Sequence, residues 1–236
     1  EGKPQHDLAI IKWEAPSYIL PGQSIFVNTT VLNFGLSDES FVRVELKFQG
    51  ITVDWEDLYG MPSGTTAVFH TSFTPPSLGV FQISSNILQV SGETRISNNK
   101  ATKPLTVRNP GVLKVPEDYA TVQSAVDASI PLDIIQVASG TYYEHVVVTK
   151  PQISILGHDK ETTIIDGMSN RSAVRLLEHE ITVSNFTLRN SGSDYPVVSL
   201  EGTIDRIINN KVIGGHEGIL VKSSSGHLVQ GNIVSQ

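Results

Sequence analysis

The residues with the most chemical potential in this chain are five acids of its second half: Asp166, Asp194, Glu201, Asp205 and Glu217. Two carboxylates on neighbouring strands, with an Arg or Gln beside them, can divide the acid and base roles of glycoside or ester cleavage. The spacing yields no such pair. The five are scattered, mostly in turn-like contexts, and each reads as a solvated turn acid. Histidine offers no alternative. His145, His158, His179, His216 and His227 show no clustered ligand pattern, and two methionines without cysteine make no soft-ligand metal set. Lack of cysteine also excludes disulfides and a thiolate nucleophile. No catalytic, cofactor or metal residues are therefore expected, and the chain does not read as an enzyme. His6 and His70 in the first half read as surface residues. Trp13 and Trp55 present ring faces able to stack on sugar C–H groups, although core or edge packing is the simpler role for both.

Such groups would have to be positioned by a β-rich scaffold. The 236 residues are 39% hydrophobic and 17% charged, which fits a folded chain. Net charge is −7, with 10 acids and 8 bases in residues 1–109 and 14 acids and 9 bases in residues 110–236. No basic patch points to nucleic acid, and no apolar run reaches membrane-span length. The chain starts at Glu1 without a signal peptide, as expected of a processed product or a piece. Few charges and much Ser, Thr, Asn and Gly suit an extracellular surface protein.

Residues 1–108 read as seven short strands separated by turn residues. In Phe41–Phe48, Val42, Val44, Leu46 and Phe48 fall on one face, and Arg43, Glu45 and Lys47 on the other. After the Pro21-Gly22 turn, Ile25, Val27 and Val31 share a face and Asn28 takes the opposite one. The others are Leu8–Trp13, Ile51–Trp55, Ala67–Phe73, Val80–Ile87 and Pro104–Val107. This pattern predicts a β-sandwich. Asp7-Leu8-Ala9-Ile10, Val31-Leu32-Asn33-Phe34-Gly35, Phe73-Thr74-Pro75-Pro76 and Ser97-Asn98-Asn99-Lys100-Ala101 follow in order. Their succession resembles the CARDB family of bacterial and archaeal adhesion-related immunoglobulin-like domains. The resemblance implies a spacer or adhesive module.

Asn109-Pro110-Gly111 opens the second domain, residues 109–236, and its brevity and proline predict limited freedom between the two. Val122, Ala125 and Val126 at i, i+3 and i+4 predict a short amphipathic helix, capped by Thr121 or Asp118, that covers one open end of a strand stack. Apolar pairs then recur at Val174/Leu176, Val198/Leu200 and Ile219/Val221. Asn185, Asn210 and Asn232 recur 11 to 13 residues after them. A period of about 23 residues, with several strands in each, is that of a β-solenoid. The asparagines are expected to stack in one structural ladder at a corner. Thr121–Ala128, Asp133–Glu144, Lys150–Gly157 and Thr163–Gly167 resemble, in order, the NosD-like family of right-handed parallel β-helices. The same opening resembles the pectinesterase and pectate-lyase superfamily, but the Gly-Asp-Phe-Ile-Phe-Gly-like and Gln-Ala motifs of its enzymes are missing. The NosD-like label of copper binding finds no ligand set here.

The fold class expected is thus all-β: an immunoglobulin-like β-sandwich followed by a right-handed parallel β-helix with a short N-terminal capping helix. The function expected is structural and adhesive at a prokaryotic cell surface. The alternatives are a carbohydrate-binding module or the front part of a polysaccharide-active enzyme. Partners expected are further copies of the chain, joined through the open β-helix end into a filament or surface layer, and cell-surface polysaccharide. Asn28, Asn170 and Asn185 head Asn-x-Ser/Thr sequons; the first two read as accessible glycosylation sites, the third as occupied within the ladder.

Overall fold

In the computed structural model, which describes residues 2–222 and 225–236, the chain divides into two units between Asn109 and Pro110. The first holds Leu8–Glu14 (β1), Tyr18–Ile19 (β2), Ile25–Asn33 (β3), Glu39–Phe48 (β4), Ile51–Met61 (β5), Thr66–Phe73 (β6), Gly79–Ile87 (β7) and Lys100–Val107 (β8). They form a three-stranded sheet, β1-β3-β6, and a five-stranded sheet, β2-β8-β7-β4-β5. All seven expected strands are present, and β2 is additional. Alternation works as read: Val27 and Val31 of β3 meet Val42, Val44 and Leu46 of β4 in the interior, all fully buried. The free edge of β6 is blunted by side chains. Asp54 Oδ2 accepts the Ser72 N–H at 2.7 Å, and the Glu56 carboxylate accepts the His70 N–H.

The second unit begins with Val112–Val115 (β9) and the helix Val122–Ala128 (α1). Three strands per turn follow. Ile134–Val137 (β10), Gly140–Tyr143 (β11) and Val146–Val148 (β12) make the first rung, and Ser154–Gly157 (β13), Thr163–Asp166 (β14) and Val174–Leu176 (β15) the second. Thr182–Ser184 (β16), Thr187–Arg189 (β17) and Pro196–Leu200 (β18) make the third. Arg206–Ile208 (β19), Lys211–Ile213 (β20) and Glu217–Val221 (β21) make the fourth, and Leu228–Gln230 (β22) with Ile233–Ser235 (β23) begin the fifth. Equivalent strands of successive rungs pair in parallel, giving three sheets around one core: sheet one β9-β10-β13-β16-β19-β22, sheet two β11-β14-β17-β20-β23 and sheet three β12-β15-β18-β21. Val146, Val174, Val198 and Ile219 share one interior column, as the apolar repeat indicated.

α1 covers the start of this core, with Val122, Ala125 and Val126 fully buried. Thr121 caps it, and both Glu144 oxygens accept first-turn N–H groups, from Val122 and Gln123, at 2.9 Å. Gln123 also pairs with the exposed edge of β12: its Oε1 accepts the Val147 N–H at 2.7 Å, and its Nε2 donates to the Val147 carbonyl at 3.2 Å. The amide thereby stands in for a neighbouring strand.

The asparagine ladder needs a correction. Strands β17 and β20 pair Thr187 with Lys211 and Leu188 with Val212, so Asn185 lies level with Asn209 and not with Asn210. The corner is a two-residue turn. Its first position, Asn185, Asn209 and Gly231, has φ of +65°, +54° and +67°, a left-handed conformation that Asn and Gly tolerate best. Its second position holds Phe186, Asn210 and Asn232. Asn210 Oδ1 accepts the Phe186 N–H at 3.0 Å, and Asn232 Oδ1 accepts the Asn210 N–H at 2.8 Å. Asn210 Nδ2 donates to the Val183 carbonyl, and Asn232 Nδ2 to the equivalent Ile207 carbonyl. The ladder is therefore Asn210–Asn232 resting on Phe186. Asn185 is only half-buried, and its Oδ1 accepts from Asn209 Nδ2 at 2.9 Å.

This register makes a testable distinction. Asn210→Ala strands the buried Phe186 N–H and is expected to cost about 1–3 kcal/mol in chemical denaturation. Asn185→Gly keeps the left-handed turn and is expected to cost less than about 1 kcal/mol. Equal losses would contradict the register.

Candidate functional site

The five acids are not uniformly solvated, which corrects the reading as turn acids. Asp194 and Glu217 are exposed, whereas Asp166 and Asp205 are buried and Glu201 is half-buried. Parallel stacking is the reason: each buried or half-buried acid bonds a neighbouring rung. Asp166 ends β14 and accepts from Arg189 Nε at 2.9 Å and Asn190 Nδ2 at 2.8 Å, both one rung on. Burial works against its charge, but the Met168 N–H, Arg189 and Asn190 outweigh that and hold its carboxyl below the usual range. Glu201, just beyond β18, is gripped by Arg175 of β15 through Nε at 2.7 Å and a second guanidinium nitrogen at 2.9 Å. Arg175, aided by the Ser199 hydroxyl and Lys222, brings its carboxyl down to about 2.

Asp205 has the opposite shift. Burial raises its pKa, against smaller pulls from the Ile181 N–H, His227 and His179. Its Oδ1 accepts the Ile181 N–H of the preceding rung at 3.0 Å, and His227 Nδ1 accepts the Asp205 N–H at 3.2 Å one rung on. Asp133 plays the equivalent part at the first rung, accepting the Gly111 N–H at 2.8 Å. Asp166 and Glu201 are held as carboxylates by arginine and have no proton to give at neutral pH. Asp205 faces the interior. The geometry brings no two of the five together as an acid and base pair.

Among the described residues no group of three or more His, Asp or Glu is placed to hold a metal ion, and no helix is long and apolar enough to cross a membrane. His6 Nδ1 lies 2.8 Å from Glu39, and His70 Nδ1 2.9 Å from Asn28 Oδ1. The solenoid carries a cleft of about 460 Å³ where Lys114, Gln136, Leu156, His158 and Asn185 converge at the corner after β10 and β13.

The two tryptophans separate. A β-bulge between Ile10 and Lys12 reverses the alternation of β1, so Trp13 turns toward the core and donates from Nε1 to Ser85 Oγ at 2.8 Å. Trp55, on β5, points outward and is 53% exposed. It shares its strand face with Asp57 and with Tyr59, which is 77% exposed. From β4, Phe41 stands opposite Tyr59, ring centroids 5.4 Å apart, and Arg43 stands opposite Asp57. The Arg43 guanidinium donates to both Asp57 oxygens at 2.7 and 2.8 Å and lies 5.4 Å from the Trp55 ring and 5.7 Å from the Phe41 ring. Sequence reasoning grouped Trp13 with Trp55; the signal it missed was the Trp55–Asp57–Tyr59 alternation facing Phe41 and Arg43.

No family model matches the chain, and no curated protein matches it. Solved structures similar to its first part exist. The CARDB domain of the PF1109 protein from Pyrococcus furiosus, in complex with di-metal ions, is 17% identical, with a TM-score of 0.40, over 45% of this chain and 97% of that one. A domain (residues 272–376) of a candidate cell surface protein from Methanosarcina acetivorans is 20% identical, with a TM-score of 0.37, over 44% of this chain and 93% of that one. At these scores the overlap is a likeness and no more.

The sequons differ in environment. Asn170 is exposed in the turn after β14, and Asn28 is half-exposed on the outer face of β3. Asn185 bonds Asn209, and its sequon hydroxyl, Thr187 Oγ1, is buried and donates to the Lys160 carbonyl at 2.6 Å. Intact-glycopeptide mass spectrometry of material from a glycosylating host is expected to find glycan at Asn170 or Asn28 and little at Asn185.

Glu201 supplies a pH prediction. Its folded pKa is depressed, so its stabilisation is complete above the unfolded value near 4.5 and is lost as pH falls toward 2. Glu201→Gln is expected to flatten the acid limb of thermal stability between pH 4.5 and 2 relative to the parent. An unchanged slope across that window would remove the Arg175–Glu201 pair as its source.

Proposed function

We propose that this chain belongs to an extracellular prokaryotic surface protein, archaeal or bacterial, whose role is structural and adhesive and not catalytic. In this reading the first unit is a CARDB-like, immunoglobulin-like spacer. The second is a right-handed parallel β-helix of the NosD-like, pectin-lyase-like kind. The right hand follows the general preference of parallel crossover connections. The observation that carries the reading is the use of the polar side chains: Asp133, Asp166, Glu201, Asp205, Asn210 and Asn232 all bond an adjacent rung. Such a core is built for rigidity, and a front part of a polysaccharide-cleaving enzyme would need some of those acids free.

A self-associating filament or layer is a second reading. Val229 and Val234 continue the interior columns of Ile207 and Val212, and parallel strands in register can pair with strands of another copy. Light scattering over a concentration series tests it: growth in mass with concentration is expected, and a monomer at every concentration with protected amides in β22 and β23 counts against it. The surface role is tested by labelling intact native cells with antibody to the chain. Label that appears only after permeabilisation would sink it.

A further inference from the structure

We infer that the outer face of the five-stranded sheet is a binding surface for a neutral oligosaccharide, stacked on Trp55 and Tyr59 and held between them by the Arg43–Asp57 pair. The inference rests on the adhesive reading, because it names the ligand that an adhesive face would hold.

Three observations carry it. Trp55 and Tyr59 leave 53% and 77% of their surface to solvent although the interior beneath β4 and β5 is filled, so their exposure is not a packing defect. Second, the surface is held in place before any ligand arrives. Arg43 lies between the Trp55 and Phe41 rings while chelating Asp57, and Phe41 packs on Tyr59. Side chains fixed in this way lose little entropy on binding. Third, the charges beside the two rings are paired. Arg43 pairs with Asp57, and Lys47 Nζ lies 3.1 Å from Glu45. Paired charges around the rings offer little field to attract a polyanion such as nucleic acid or an acidic polysaccharide.

A neutral sugar has the complementary chemistry. Its ring carries a C–H face that stacks on an aromatic plane and a rim of hydroxyls that both donate and accept. Tyr59 lies four steps along β5 from Trp55, about 14 Å at ~3.4 Å each, so an oligosaccharide and not a single ring bridges them. Arg43 and Asp57 sit midway, where guanidinium N–H groups and carboxylate lone pairs can meet ring hydroxyls.

The test uses the full chain on a glycan array carrying neutral β-glucan, mannan and chitin oligomers beside acidic polygalacturonate oligomers. Titration of the retained oligomer then follows tryptophan fluorescence. At least one neutral series is expected to bind with a fluorescence change. Trp55→Ala should weaken binding at least tenfold, as should Tyr59→Ser, with circular dichroism unchanged because both side chains lie outside the core. Trp13, turned inward, gives no sugar response. Retention of no glycan, preference for polygalacturonate, or full affinity in both variants overturns the inference. Labelled native cells with an empty array would remove this inference alone; unlabelled cells with a positive array would remove the surface location alone.

Discussion

In the second unit, parallel stacking in register is the constraint on which everything else depends. Each strand's N–H and C=O groups must meet those of the next rung, so residues at equivalent positions are forced into columns. Ile134, Ser154, Thr182, Arg206 and Leu228 stand in one such column. A column admits apolar residues that pack on themselves, or polar residues that bond up and down, and little else. The corner that leads into sheet one shows the strength of this rule. Leu132, Gln152, Glu180, Ile204 and Gly226 all hold positive φ. For β-branched Ile204, at +61°, that conformation is strained, and the stack maintains it.

The same constraint explains why the acids looked chemical in isolation. An acid in a column is buried by its neighbours above and below, and it must be answered there. Asp166 is answered by Arg189 and Asn190, Glu201 by Arg175, and Asp205 by the Ile181 N–H with His227 nearby. Two of these pKa values fall because an arginine faces the carboxylate, and that of Asp205 rises because burial outweighs the Ile181 N–H and the nearby histidines. Perturbed carboxyls are thus consequences of stacking in this fold, and perturbation alone does not mark a reactive centre.

How far the fold was legible follows from period and distance. The strands of the sandwich and the Val174–Val198–Ile219 column were readable, because burial imposes a period of two within a strand and a fixed place in each rung. The asparagine ladder was misread by one residue. Asn occupies both positions of the turn at Asn209-Asn210, and type alone cannot choose between them; the requirement that Leu188 and Val212 both face inward does. The partners of Asp166 and Glu201 lie more than twenty residues away in sequence and meet them only after stacking. The exposed aromatic face was hidden by a local irregularity: the bulge in β1 sends Trp13 inward, while regular alternation sends Trp55 out.

The corners of the coil differ in how much length they accept. Between sheet three and the next sheet-one strand, residues 149–153, 177–181 and 201–205 are five each, and 222–227 are six. Between sheets two and three the connections are 144–145, 167–173, 190–195 and 214–216. The range is widest along this edge, from two residues to seven, while the corner between sheets one and two holds two residues except at 158–162, which has five. That edge is where a lineage can add or lose residues without disturbing the core. An inserted tag or epitope between Met168 and Arg171 would be displayed from the side of the stack of strands, ahead of Ala173, which ends the same connection inside the core.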